Sequence, residues 1–182
     1  MRQYPNHKKL ALALAFTGVL LAGCGGGDDD PAGGGAAAGG TVGGTLTLSA
    51  TTPSANNTTL NLTAATSKGN DTRAADGFST VPYCEVFFES VPGANGVSYA
   101  VQVYFRQSDK APLHASIIGG NPPTFVIFDN AAGNPISGLT VDTAARTVVF
   151  SGKTMNGTSG EVGTVNGTMT FPANTTTAAC GA

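Results

Sequence analysis

The chain has 182 residues, of which 11% are charged and none is tryptophan, and its formal net charge is −2. That length suits one folded domain with an extra segment and is too short for a large multidomain enzyme. The acidic balance argues against a phosphate-tracking nucleic-acid binder. At the N-terminus Arg2, Lys8 and Lys9 form a basic start, and residues 10–22 run LALALAFTGVLLA without a charge. This run has the length of a secretory h-region and falls short of the ~20 residues a helix needs to span a bilayer, so residues 1–23 read as a signal peptide.

The apolar run ends in Leu21, Ala22, Gly23 and Cys24. These four residues resemble the bacterial lipobox, in which small residues fit the lipoprotein signal peptidase and the cysteine becomes the new N-terminus. The resemblance implies a bacterial lipoprotein cut before Cys24, with a diacylglycerol thioether on the thiol and a further acyl chain on the amine. Two or three chains hold firmly where one holds marginally, since each buried methylene contributes ~0.8 kcal/mol. Within that family a residue other than aspartate after the cysteine favours release to the outer membrane, and Gly25 is compatible with it. The expected location is therefore the bacterial cell envelope, lipid-anchored. Cleavage removes three of the nine basic residues and none of the eleven acidic ones, which moves the net charge from −2 to −5. No basic cluster is left to read anionic head groups, so membrane attachment rests on the lipid alone.

Residues 25–44 read GGGDDDPAGGGAAAGGTVGG, which offers almost nothing to offset the entropy of ordering it. With Cys24 they form a flexible tether whose span is on the order of 25 Å. Its three aspartates, residues 28–30, read as solvated charge rather than as a cation site.

From Thr45 the composition shifts to Thr, Val, Phe and Asn, with turn signals about every ten residues, the pattern of an all-β domain over residues 45–182. Strand signals fall at 45–50, 58–64, 81–90, 97–106, 113–118, 124–129, 136–142, 146–155 and 161–171. They predict a single antiparallel β-sandwich, immunoglobulin-like or related, with a partly closed barrel as the alternative. The segment VPGANG predicts a hairpin, and residues 142–146 and 156–160 predict the turns of a closing meander. Val165, Met169 and Phe171 share a face with Gly163 and Gly167, so large and small side chains alternate where another strand approaches. Asn-Gly-Thr, at 156–158 and again at 166–168, reads as turn or bulge chemistry.

Alternation assigns the faces of the central hairpin. Cys84, Val86, Phe88, Val97, Tyr99, Val101, Val103 and Phe105 point to the core; Glu85, Glu89, Gln102, Tyr104 and Arg106 point outward. Tyr83 and Phe87 fall among the outward glutamates, which makes Tyr83, Phe87, Tyr104 and Arg106 the candidate binding face, against the simpler reading of a second packed layer or cross-strand packing. Once Cys24 is lipidated, Cys84 and Cys180 are an even pair in an oxidising compartment and are expected to form one disulfide, two buried free thiols being the alternative. Closing so long a loop is worth about 4 kcal/mol.

Catalytic and metal chemistry finds little purchase. His114 lies two residues from Ser116, but no nucleophile elbow accompanies them, and a structural histidine is the simpler reading. Glu85 and Glu89 sit ~13 Å apart on a strand, beyond the reach of a glycosidase pair, and an ion pair of Arg106 with one of them is expected. Residues 67–77, with Asn70, Asp71 and Asp76, read as a solvated loop lacking the alternating ligands of a calcium loop. Two cysteines without CxxC spacing or clustered histidines make no tetrahedral metal site. No metal, no cofactor and no nucleic-acid partner are expected. The expectation is a membrane-anchored envelope lipoprotein whose β domain serves non-enzymatic binding, adhesion or assembly. Its partners are the membrane, through the N-terminal lipid, and an envelope protein or polysaccharide. The alternative is an envelope hydrolase or inhibitor module with an unrecognised site.

Overall fold

Ten strands account for most of the described residues in the computed structural model, which describes residues 41–119, 124–130 and 135–182. The expected signal peptide, Cys24 and most of the expected tether lie outside the described residues. The strands are β1 (Gly43–Thr52), β2 (Thr58–Asn61), β3 (Ser67–Arg73), β4 (Tyr83–Pro92), β5 (Ser98–Arg106), β6 (Pro112–Gly119), β7 (Phe125–Asn130), β8 (Leu139–Asp142), β9 (Thr147–Asn156) and β10 (Val162–Thr170). Helical structure among the described residues is limited to three short 3-10 turns, and none is long or apolar enough to cross a membrane.

All pairings are antiparallel and belong to one sheet in the order β2-β1-β10-β9-β7-β6-β5-β4-β3, with β8 added beside β9. The all-β antiparallel expectation holds, and of its two forms the alternative is found: the strands form one continuous curled sheet, a partly closed barrel, in place of the two packed sheets of a sandwich. Period-two alternation explains it: Leu46 and Leu48, Val86 and Phe88, Val101 and Val103, Ile117, Ile127, Val148 and Val165 are all buried in one core. Bulges sharpen the curl, because each adds twist on one strand. They fall between Ser49 and Thr52 and between Phe88 and Val91, where Ala50 and Ser90 take left-handed φ values of 50° and 52°.

The expected small-large alternation on β10 has a steric reason. A Cβ on Gly163 would stand 2.8 Å from both Ile127 Cδ1 and Leu48 Cδ1, so its absence lets side chains from β7 and β1 meet across the barrel. Gly167 sits in a bulge at φ 132°, and a Cβ there would come within 2.3 Å of the Thr45 carbonyl oxygen. The second Asn-Gly-Thr is thus bulge chemistry, with Asn166 Oδ1 accepting from Gly152 N at 2.7 Å.

The two ends of the sheet, β2 and β3, are joined in sequence by the 3-10 turn Leu62–Ala64 and meet without a continuous ladder. Three local devices span the gap. Leu60 bridges to Gly93, and Ala94 N donates to Thr59 O at 3.0 Å. Lys68 Nζ donates to Thr63 O at 2.6 Å. The segment after β10 then lies against β3, where Asn70 Nδ2 donates to Pro172 O (3.0 Å) and Cys180 O (2.7 Å), and Asn174 Nδ2 donates to Asn70 O (2.7 Å). Cys84 and Cys180, both fully buried, stand at disulfide distance with their Cα atoms 5.6 Å apart.

Two sequence boundaries are corrected. β1 begins at Gly43, two residues inside the expected tether. Residues 67–73, read as a solvated loop, form β3, paired with β4 from Ser67–Glu89 to Arg73–Tyr83. SKGNDTR lacks apolar alternation because its inward side chains, Asn70 and Thr72, face the polar C-terminal segment rather than the core. Pairing with β4 makes it a strand in spite of its low intrinsic propensity.

Candidate functional site

The outer face of β3 to β7 carries most of the side chains singled out in the sequence, and strand register decides which of them meet. One cross-strand row runs Asp71–Glu85–Tyr104–His114–Asn130; the next runs Gly69–Phe87–Gln102–Ser116–Phe128. Beyond these, Ala100, Ile118 and Val126 lie side by side.

The first row supports an aromatic cluster outside the main core. The loop between β3 and β4 brings Phe78 over the sheet, with ring centroids 5.5 Å from Tyr83, 5.1 Å from Tyr104 and 5.9 Å from His114. Tyr104 also lies 5.5 Å from Tyr83 and 4.8 Å from His114. Asp76 holds the loop down: its carboxylate accepts from Phe78 N (2.8 Å), Ser79 N (3.2 Å) and the Tyr83 hydroxyl (2.8 Å). Glu85 accepts from the Tyr104 hydroxyl at 3.2 Å and from Arg73 Nε at 2.6 Å. These rings and carboxylates satisfy one another, as a packed second layer does.

The electrostatics follow from that packing. Burial, together with the hydrogen bond to Asp76, pushes the Tyr83 hydroxyl up to about 12. Burial and the Glu85 charge do the same for Tyr104. The Tyr83 hydrogen bond, then two backbone N–H groups, hold Asp76 below the usual carboxylate range. Burial lowers His114, partly opposed by Asp129 and Glu85, and its Nδ1 is enclosed without a hydrogen-bond partner. A histidine kept neutral here acts as a flat packing surface. Ser116 is buried and its hydroxyl donates to Gln102 Oε1 at 3.4 Å, so His114 and Ser116 form no dyad.

The four candidate binding residues separate. Tyr83 is only 5% exposed beneath Phe78 and contributes packing instead of contact surface. Tyr104 is half-buried in the same cluster. Phe87 lies one row away, its ring over Gly69, where any Cβ would clash at 2.1 Å. Arg106 pairs with Asp109 at 3.0 Å rather than with a glutamate. The expected Arg106–glutamate pair fails because Arg106 stands opposite Tyr83, while Glu85 is within reach of Arg73, at 2.5 Å. Nor do Asn70, Asp71 and Asp76 gather, since Asn70 is buried toward the C-terminal segment and Asp76 is bonded to Tyr83. Among the described residues no group of three or more His, Cys, Asp or Glu side chains is placed to hold a metal.

Sequence reasoning missed two residues. Phe78 sits in a loop whose composition gives no sign that it folds back on the sheet. Lys153, 6% exposed, forms an ion pair with Asp129 where β7 and β9 diverge, for these strands pair only at Phe128–Asn156. The bulge opposite Asn166 turns Lys153 inward, beside Val165, and the one signal for it along the chain is a lysine breaking an apolar alternation.

No family model matches this chain, and neither a curated protein nor a solved structure is significantly similar to it.

Proposed function

We propose that the chain is a lipid-anchored lipoprotein of the bacterial envelope, held at the outer membrane through Cys24, whose β domain works by binding an envelope protein and not by catalysis. The observation that carries the binding half of this reading is the apolar patch on the outer face of β5 to β7. Ile118 is 36% exposed, Ala100 and Val126 on either side of it are half-buried, and so is Phe128 in the next row. The solvent face of an antiparallel sheet is ordinarily polar. A contiguous apolar area there marks an interaction surface, and a flat one suits another protein better than a small ligand. The lipobox supports the anchoring half, and a tether of about 20 residues gives the domain reach beyond the lipid surface.

Two experiments test the two halves. Cells producing the chain are labelled with a palmitate analogue; label is expected on the native chain and absent from Cys24→Ser, and equal labelling of both would refute lipidation at Cys24. A photo-crosslinker at Phe128 is expected to capture a partner that the same group at Thr168 does not. Equal capture at the two positions, or turnover of an envelope substrate that His114→Ala abolishes, would defeat the binding reading.

A further inference from the structure

Where β2 closes on the β4–β5 connection, the outer surface holds a hollow of about 450 Å³ lined by Thr45, Thr59, Asn61, Pro92, Gly93 and Ala94. This is within the ~300–1,000 Å³ of small-molecule sites. One wall is polar. Thr45 stands opposite Asn61 on the β1–β2 ladder, with Thr59 one step further along, and all three are exposed. Their side chains have no hydrogen-bond partner among the described residues; Asn61 begins the following 3-10 turn without capping it. The other wall, Pro92 to Ala94, is apolar and held in place. Gly93 N donates to Val97 O (2.9 Å), Ala94 N to Thr59 O (3.0 Å), and Asn95 Nδ2 to the Tyr99 hydroxyl (2.9 Å).

None of the six lining residues is charged, and the outward neighbours Thr47, Asn166 and Thr168 extend the same uncharged hydroxyl and amide surface. An anion would meet no cation here, and a cation no carboxylate. A purely aliphatic ligand would strip water from three hydrogen-bonding side chains without replacing it. The chemistry that matches both walls is a ligand with neutral hydroxyls on one side and C–H groups on the other.

We propose that this hollow binds a short stretch of neutral glycan, its hydroxyls bonding Thr45, Thr59 and Asn61 while a C–H face of the ring lies on Pro92–Ala94. The pinned turn supplies one wall in advance, so little ordering opposes binding. The site depends neither on Cys24 nor on the patch around Ile118, and it gives the domain a second, chemically different contact.

The test is a titration of the isotopically labelled mature chain with maltohexaose, with chitohexaose, and with a sulfated heparin hexasaccharide as the anionic comparison. At least one neutral hexasaccharide is expected to shift the amides of Thr45, Thr59, Asn61, Gly93 and Ala94 saturably, in the roughly millimolar range or tighter. Added salt leaves this unchanged, since no charge takes part. The combined Thr45→Val, Thr59→Val and Asn61→Ala variant is expected to bind at least about tenfold more weakly with its other amide shifts unaltered. No shift with either neutral sugar at about 10 mM overturns the proposal. So do shifts that map elsewhere, or equal binding of the sulfated sugar. If the triple variant does not fold, the native shift map decides. Partner capture at Phe128 is a separate readout, so failure here and failure of the protein-binding reading are told apart.

Discussion

The two halves of the curled sheet share one core and present opposite outer faces. On β1, β9 and β10 the outward side chains are mostly hydroxyls and amides, among them Thr45, Thr47, Ser49, Thr147, Thr154, Thr164, Asn166, Thr168 and Thr170, with Val149 and Val162 as aliphatic exceptions and no charge. On β4 to β7 they include Phe87, Tyr104, His114, Ile118, Val126 and Phe128. Folding requires only that one face of each strand be apolar, and both halves meet that requirement with the same inward aliphatic residues. The outer difference is therefore free of the core's demands, and it divides the surface into a hydroxyl side and an aromatic side.

Cutting what joins the halves has the largest expected effect. The segment after β10 carries Cys180 to Cys84 on β4, a separation of 96 residues. Cys84→Ala with Cys180→Ser is expected to lower stability in urea by about 4 kcal/mol. A loss below about 1 kcal/mol would mean that the hydrogen bonds of Asn70 and Asn174 hold the two sides without it.

The second joint is the Lys153–Asp129 pair between β9 and β7. Asp129→Ala leaves a buried ammonium without its counter-charge and is expected to cost about 3 kcal/mol, whereas Lys153→Met removes the charge and is expected to cost much less. Equal losses in the two variants would show that the pair contributes packing alone.

Within the aromatic half, Phe78→Ala uncovers Tyr83 and Tyr104 and is expected to cost about 2 kcal/mol, below the range for a fully enclosed phenylalanine because Phe78 is half-buried. Near-ultraviolet circular dichroism of the tyrosines would change with it. An unchanged tyrosine signal would count against the loop as a cover.

The aromatic half also carries the pH dependence. His114 is lowered by burial, so the unfolded chain takes up a proton first: stability is whole above pH 6.5 and declines as the pH falls through the folded value. Tyr83 and Tyr104 are raised to about 12, so their contribution is whole below pH 10 and is lost as the pH climbs from there toward 12. His114→Gln is expected to flatten the acid limb of a melting-temperature profile and leave the alkaline limb alone. Loss of the alkaline limb in that variant would place the coupling elsewhere.

The smallest change is expected on the hydroxyl side, where Thr168→Val exchanges one exposed β-branched residue for another and stays within about 0.5 kcal/mol. A larger loss would show that the threonine face contributes to the fold as well as to contact.

The strands that alternate strongly are legible in the amino-acid order, and so are the hairpin at VPGANG and the pairing of Cys84 with Cys180. β3 is not, because SKGNDTR becomes a strand only by pairing with β4 and covering itself with the C-terminal segment. The candidate face is half legible. Parity places Tyr83, Phe87 and Tyr104 on the outer side, but parity carries no information about which side chain a distant loop will cover. Phe78 supplies that cover, and register sends Arg106 to Asp109 while Glu85 goes to Arg73.

The sequence by itself determined what depends on neighbours along the chain: the period-two faces and the turn positions. Tertiary structure alone decided which strands adjoin, that one sheet curls until β2 meets the turn at Gly93, that Lys153 turns inward to Asp129, and that Thr45, Thr59 and Asn61 face Pro92–Ala94 across a hollow. The physical reason is range. Alternation and turn chemistry act over a few residues, whereas register, bulges and closure are settled by contacts between segments far apart in the chain.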